Sequence, residues 1–497
     1  MPRYCQRQIF AIVVARKWAD NLAFLLMDFL LSIHCPQCGA DISFEEESRV
    51  VRCQYCGSTL HITGRSGVFR NYIKPFENIP RMKKALRGAL KALGAKKALI
   101  SEKKLLFAPY WRVKGMVYKW VFGKDVQGRL VKELKTKHLD QSFPAYCGVD
   151  LGLRSLGIRP GALKLPFFDR EEMSKTGSVM KVELDFKEAV KQGSLLTEVG
   201  LDETGIQVYL ERTRLVGERY SIIYFPFWMV RLSSGRKPRV LILDAVANTV
   251  TRVLTEEQWE VMEARSKKGR SRVNISKVGF IAFKCPNCGW DLPLNRFDVI
   301  HLCGTCKRAW IEQGGRFKGV RFEIADLPQG ARQDVIYLPV WVFQAHITSN
   351  GQVLKTVADL QRFSKVLPSG VKQGGDQERF YFFMPAAKIR NILAADKLAA
   401  GLTNKQPAYQ CVPAERIAEL KTMGVFLSPR AAGDMAEILL CSLTPRNNRE
   451  RQDFVKDAKI SIDKMHVLWW PFHEQRLFLR DAICGCGIQK GTLDVGC

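Results

Sequence analysis

A chain of 497 residues that is 46% hydrophobic is long enough for two to four domains with ordinary cores, which excludes a disordered polypeptide. Its 77 Lys and Arg against 49 Asp and Glu leave a formal charge of +28, which points to an anionic partner: an acidic protein or membrane surface, with nucleic acid as the alternative. Fifteen cysteines, several in paired motifs, suit a reducing compartment, so a cytoplasmic protein, peripheral at a membrane, is expected.

Residues 1–33 are apolar but interrupted by Arg16, Lys17, Asp20 and Asp28. The uncharged runs fall well short of the roughly 18 residues that a membrane-spanning helix needs, and no small-residue cleavage site follows. A helix lying on a surface is expected there. Met27 is a second candidate start, which would leave residues 1–26 outside the native protein.

Cys35-Pro-Gln-Cys38-Gly39 and Cys53-Gln-Tyr-Cys56-Gly57 follow, two Cys-x-x-Cys turns separated by fourteen residues. Each turn supplies two thiolates, and the intervening residues are enough for a short β-hairpin that brings the pairs face to face as a four-sulfur zinc site. The glycine after each second cysteine serves a position of positive φ. Cys285-Pro-Asn-Cys288-Gly289 and Cys303-Gly-Thr-Cys306 repeat the spacing, with Lys307 in place of the last glycine. Two Zn2+ ions are expected, and four cysteines each close the shell, so the metal holds structure and does no chemistry.

Beyond Lys74-Pro75-Phe76, Met82, Leu86, Leu90 and Leu93 recur at helical spacing and form one apolar stripe over about 80–93. Lys83, Lys84, Arg87 and Lys91 fall largely off it, a cationic face that either meets water or binds phosphates. Four β-rich cassettes follow a common scheme, centred on Pro109-Tyr110-Trp111, Pro226-Phe227-Trp228, Pro339-Val340-Trp341 and Pro471-Phe472-His473. Cys35 to Cys285 is 250 residues, Pro109 to Pro339 is 230, and Pro226 to Pro471 is 245, the offsets of a tandem duplication. The seam is a charged stretch around Arg265-Ser-Lys267-Lys268-Gly-Arg270-Ser-Arg272, whose cations are further candidates for binding the anionic partner.

The expected fold class is α+β: two small zinc ribbons plus duplicated mixed α/β segments with antiparallel strands. In chain order these are the segment 1–33, ribbon 34–64, segments 65–175 and 176–262, basic linker 263–277, ribbon 278–315, and segments 316–405 and 406–497.

No phosphate-binding loop, His-Glu-x-x-His, nucleophile elbow or dinucleotide fingerprint is present, so no enzyme is expected. His34 and His301 flank the cysteine turns but are surplus to complete quartets. Asp244 and Asp481 occupy matching positions and are read as turn caps. Cys484-Gly-Cys486 aligns with Ala247-Asn248 and is read first as a hairpin turn. Cys147, Cys411 and Cys441 are expected to be buried, and the cassette aromatics to be core, not base-stacking platforms.

Cys35, Cys38, Cys53 and Cys56, then Lys74-Pro75-Phe76, a helix and the Pro109-Tyr110-Trp111 strand resemble bacterial transcription-factor-type zinc-ribbon proteins, often encoded near relatives of phage-shock protein A. The resemblance covers roughly residues 33–125 and, more loosely, 283–350. It implies a non-enzymatic adaptor that recruits partners to the membrane.

Overall fold

The computed structural model describes residues 30–46, 48–64, 67–95, 98–157, 164–198, 201, 205–233, 239–267, 279–328, 334–364 and 377–493. The surface helix expected within residues 1–29 lies outside these, whereas Leu30–His34 is a strand of the first ribbon. None of the described helices is long and apolar enough to cross a membrane.

Mixed α and β structure is present, and antiparallel pairing dominates it. The first large sheet contains β1 (Phe69–Tyr72), β2 (Leu99–Asp125), β3 (Leu130–Pro144), β4 (Ser178–Val179), β5 (Ile206–Ser233), β6 (Arg239–Asp244) and β7 (Thr249–Thr255). Its order is β7-β6-β5-β2-β3, with β1 parallel to β5 and β4 parallel to β2. The second contains β8 (Phe322–Ile324), β9 (Val335–Ser349), β10 (Gln352–Leu354), β11 (Tyr381–Pro385), β12 (Lys459–Glu474), β13 (Phe478–Asp481) and β14 (Gly487–Gln489). Its order is β10-β9-β12-β13-β14, with β8 parallel to β12 and β11 antiparallel to β9.

The two sheets agree in register as well as in order. Tyr224 stands opposite Pro109 in the first and Trp469 opposite Pro339 in the second. Phe227 faces Asp244, as Phe472 faces Asp481. Tyr72 pairs with Tyr224, as Ile324 pairs with Trp469. They part at one strand. Pro144, at the end of β3, faces Tyr110, and Pro385, at the end of β11, faces Val340. The single strand β3 of the first sheet is thus broken in the second into β10 and β11, with residues 355–380 and the helix Val357–Ser364 between them.

The cassette aromatics fill the cores, because period-2 alternation turns them onto packed faces on both sides of each sheet. Tyr110, Trp111 and Phe227 are fully enclosed and Trp341 is buried. Trp228 is half-buried beneath the ammonium of Lys103, 3.7 Å from its ring centroid. Helix α1 (Ile79–Ala92) lies over β5 and β6, its Met82, Leu86 and Leu90 against Val230, Leu232, Leu241 and Leu243. Helix α2 (Glu256–Lys267) runs through residues 263–267 of the expected basic linker. Lys268, Arg270 and Arg272 lie outside the described residues.

The arms of β2 and β5 run past the cassette region to meet the second half. Trp120, Phe122, Leu210 and Val216 share a core with Met435, Leu439 and Leu443 of α4 (Pro429–Leu443), a helix that follows α3 (Ile392–Lys405). Glu437 on α4 is held by Arg214, and by Arg212 at 3.2 Å. Lys132 of β3 donates to the carbonyls of Ser442 and Thr444 at 2.6 and 2.7 Å, at the C-terminal end of α4. A cation suits the unsatisfied carbonyls of that terminus.

Candidate metal centres

Each Cys-x-x-Cys turn is the tip of its own hairpin, which corrects the expectation that a separate hairpin fills the space between the pairs. Leu30–His34 pairs with Asp41–Glu45 around Cys35 and Cys38, and Val50–Arg52 pairs with Thr59–Thr63 around Cys53 and Cys56. The four tips share one bonding pattern. Gly39 N–H donates to Cys35 O at 2.8 Å, Gly57 to Cys53 at 3.0 Å, Gly289 to Cys285 at 2.9 Å and Lys307 to Cys303 at 3.0 Å. That turn requires positive φ at the residue after the second cysteine. Gly39, Gly57 and Gly289 take 75°, 74° and 73°, and Lys307 takes 56° despite its side chain. Its ammonium reaches the Gly304 carbonyl across the turn.

All four sulfurs of each set lie within 4.8 Å of one another. Cys35 and Cys56 are 3.8 Å apart, Cys38 and Cys53 3.7 Å, Cys285 and Cys306 3.5 Å, and Cys288 and Cys303 3.5 Å. A disulfide needs about 2.05 Å. Sulfurs at about 2.3 Å from a tetrahedral metal stand about 3.8 Å from each other. The donor sets therefore fit a metal ion, and with four sulfurs each shell is closed.

The protons tell the same story. The Ser58 hydroxyl and N–H hold the Cys56 thiol down at about 6. Cys38, although the Ala40 N–H pulls it down, is pushed up to about 12 by desolvation and the neighbouring sulfurs. In the second set Cys306 bears a desolvation cost yet is held down at about 6 by the Arg308 N–H and adjacent sulfurs. Cys288, lowered by the Trp290 N–H, is pushed up to about 11 by desolvation and the same crowding. Four like charges cannot gather within 4.8 Å unaided, and a divalent cation bound there would let all four ionise.

The two ribbons form one body. Gly279–Ala282, leading into the second ribbon, pairs antiparallel with Thr59–Thr63 of the first, and Phe283, Leu292 and Cys303 share a core with Val50. His301 is buried against Phe283, Phe317 and His61, its centroid 4.7 Å from that of Phe283. Burial, then His61 and Arg49, hold its imidazole well below the usual range, so it is neutral. It is packing, not a fifth ligand. His34 is exposed, its Nδ1 2.9 Å from Asp41.

Other sequence candidates fall into place or need revision. Asp244 accepts from the Val246 and Ala247 N–H groups, each at 2.7 Å, and Asp481 accepts from Ile483 N–H at 2.8 Å, so both cap turns. Cys441 is buried, but Cys147 and Cys411 are exposed, because their apolar neighbours in sequence alternate to the opposite face or belong to irregular chain. Lys83, Lys84, Arg87 and Lys91 are exposed on the solvent side of α1. The side chain of Lys267 is not among those described.

Two features escaped sequence reasoning. Tyr55 and Trp290 are 76% and 66% exposed at the hairpin tips, where each adjoins a ligand cysteine or the glycine after one. Arg112, only 4% exposed, joins Glu46 of the first ribbon to Asp140 of β3. Comparison with protein-family models, curated proteins and solved structures finds no match to this chain.

Proposed function

We propose that the protein is a non-enzymatic zinc-binding scaffold whose α1 face docks an anionic membrane surface. The observation that carries this is the layout of α1. Its apolar side is spent on β5 and β6, while Lys83, Lys84, Arg87 and Lys91 face outward, and among the described residues none of the four is in an ion pair. Exposed apolar side chains stand at both ends of the helix: Phe76 (62%) before it and Ile79 (51%) as its first residue, Leu99 (73%) and Ile100 (53%) after it. Cations beside insertable apolar groups suit a lipid interface better than a phosphodiester backbone.

Zinc is the ion we assign to the two four-sulfur sets, because four thiolates at this spacing favour a tetrahedral d10 ion. We infer further that the two halves arose by duplication, which the shared strand order and register support. The resemblance to adaptors of the membrane-stress type agrees with this reading, and an acidic protein at the membrane remains within its terms.

Co-sedimentation tests it. The zinc-loaded chain should pellet with phosphatidylserine vesicles but not with phosphatidylcholine vesicles, and the charge reversal Lys83→Glu/Lys84→Glu/Arg87→Glu should release it. Each cation is worth about 1 kcal/mol near such a surface, so three reversals abolish a measurable complex. Binding to single- or double-stranded nucleic acid with a steep salt slope, and none to vesicles, would replace this reading with the nucleic-acid one.

A further inference from the structure

The turn between β13 and β14 carries two thiols that the ribbons do not use. Cys484 and Cys486, both partly buried, flank Gly485, whose φ of 76° matches the left-handed Asn248 (55°) of the corresponding turn in the first sheet. Their sulfurs lie 3.7 Å apart. Asp481, 2% exposed, accepts from Trp470 Nε1 at 2.7 Å and from the Cys484 thiol. Helix α3 closes the other side. Lys405 donates its ammonium to the Cys484 carbonyl and lies beside the Cys486 sulfur. Gly401 leaves the space that sulfur occupies, since a Cβ there would stand 2.9 Å from it.

Asp481, Cys484 and Cys486 are close enough to share a metal ion, but two observations weigh against it. An ammonium beside the sulfurs opposes a cation. Asp481 is also committed to capping its turn, as Asp244 caps the matching turn with no cysteine present. What an ammonium does favour is a thiolate.

We propose that Cys484 and Cys486 are a reversible dithiol–disulfide couple that exchanges with small-molecule disulfides of the glutathione class. Cys486 is the nucleophile: the Cys484 thiol as hydrogen-bond donor, with Lys405, lowers its proton affinity against the cost of burial. Its thiolate attacks one sulfur of the small disulfide, whose S–S bond breaks and releases one thiolate that takes a proton from water. Cys484, which its bond to Cys486, burial and Asp481 keep protonated, then passes its proton to the Asp481 carboxylate and attacks the Cys486 sulfur. The protein disulfide closes and the second small thiolate leaves, taking from Asp481 the proton that Cys484 gave it. Two electrons pass from the protein sulfurs to the small disulfide, which departs as two thiols. Closure draws the sulfurs in from 3.7 Å to about 2.05 Å, a movement that Gly485 can absorb.

Trypsin releases Asp481–Lys490, a peptide with these two cysteines and no other. The metal-loaded full chain is equilibrated in glutathione buffers of graded redox ratio, free thiols are alkylated, and this peptide is weighed. The expected result is a shift from doubly alkylated to unalkylated and lighter by two hydrogens as the buffer becomes oxidising, reversed by dithiothreitol. Cys484→Ser should trap glutathione on Cys486, while Cys486→Ser should take it up at Cys484 about 10-fold more slowly. The couple is overturned if the peptide stays doubly alkylated at every ratio while exposed Cys147 and Cys411 take up glutathione. It is equally overturned by a third metal equivalent that Cys484→Ser or Cys486→Ser removes. Cys484→Ala, which copies Ala247 of the first half, checks by circular dichroism that the turn still folds.

Discussion

His61 of the first ribbon stands edge-on to His301 of the second, their ring centroids 5.3 Å apart and both rings sealed from solvent. Since Gly279–Ala282 also extends the strand Thr59–Thr63, each metal centre is braced by the other ribbon's residues. Removing one set of ligands should therefore loosen the other. Cys285→Ser/Cys288→Ser is expected to halve the metal content and to speed release from the first ribbon by about 10-fold, equivalent to a coupling of about 1.4 kcal/mol. Chelator competition with a colorimetric indicator reads both quantities. An unchanged release rate would mean that the ribbons are independent.

Lys307 is the one ligand turn built without glycine. Holding a side chain at φ 56° costs about 1–2 kcal/mol, partly offset by the greater entropy that glycine gives the unfolded chain. Lys307→Gly should stabilise the metal-loaded protein by about 0.5–1 kcal/mol, read as a higher urea midpoint at constant slope. A loss of stability would show that the contact of the Lys307 ammonium with the Gly304 carbonyl outweighs the strain.

The features legible in the sequence are those written within a few residues of themselves. The cysteine spacing forecast two four-sulfur sets that the structure brings together, and the α1 stripe forecast a docked helix within a residue of its ends. The offsets between Pro109 and Pro339 and between Pro226 and Pro471 anticipated sheets that match in register. What stayed hidden depends on partners distant in the chain. Nothing near Thr59–Thr63 announces that its neighbour begins at Gly279, and nothing near Arg112 announces Glu46. That β10 and β11 together take the place in the second sheet that β3 holds in the first was not legible, because the residues between them leave the local pattern of each piece unaltered. Cys147 and Cys411 misled because apolar neighbours in sequence do not say which way a side chain points.

Asp298 gives the fold a pH dependence of its own. Burial pushes its carboxyl up to about 6, while Asn295, donating at 2.8 Å, and Arg49 pull it down. Its oxygens press on Gly424, where no side chain would fit. A carboxyl whose folded pKa is raised adds stability below its unfolded value near 4 and loses it as pH rises through 6. Asp298→Asn should therefore gain at most about 2–3 kcal/mol relative to the parent at pH 7.5 and little at pH 4.5. Paired urea titrations at the two pH values read the difference, and equal midpoint shifts at both would exclude this origin.

Arg112 ties the first ribbon to the first large sheet through largely buried charge. Its Nε and Nη2 each donate to Asp140 at 2.6 Å, and its Nη1 donates to both oxygens of Glu46, at 2.8 and 3.0 Å. Burial opposes the guanidinium charge, but Glu46 and Asp140 together raise its proton affinity beyond the usual arginine range, so it is permanently charged. Removing the centre of such a cluster takes the guanidinium from two largely buried carboxylates, although Glu46 keeps Lys114 at 3.6 Å, at a cost of about 3 kcal/mol. Arg112→Met should lower the unfolding free energy by that amount, read as a lower urea midpoint at constant slope. The triple replacement Arg112→Met/Glu46→Leu/Asp140→Leu should recover more than half of the loss, because the cluster's cost of desolvation disappears with its attraction. A single variant as destabilised as the triple would instead mean that the cluster holds the ribbon in place by net attraction, and that its geometry repays the burial of its charges.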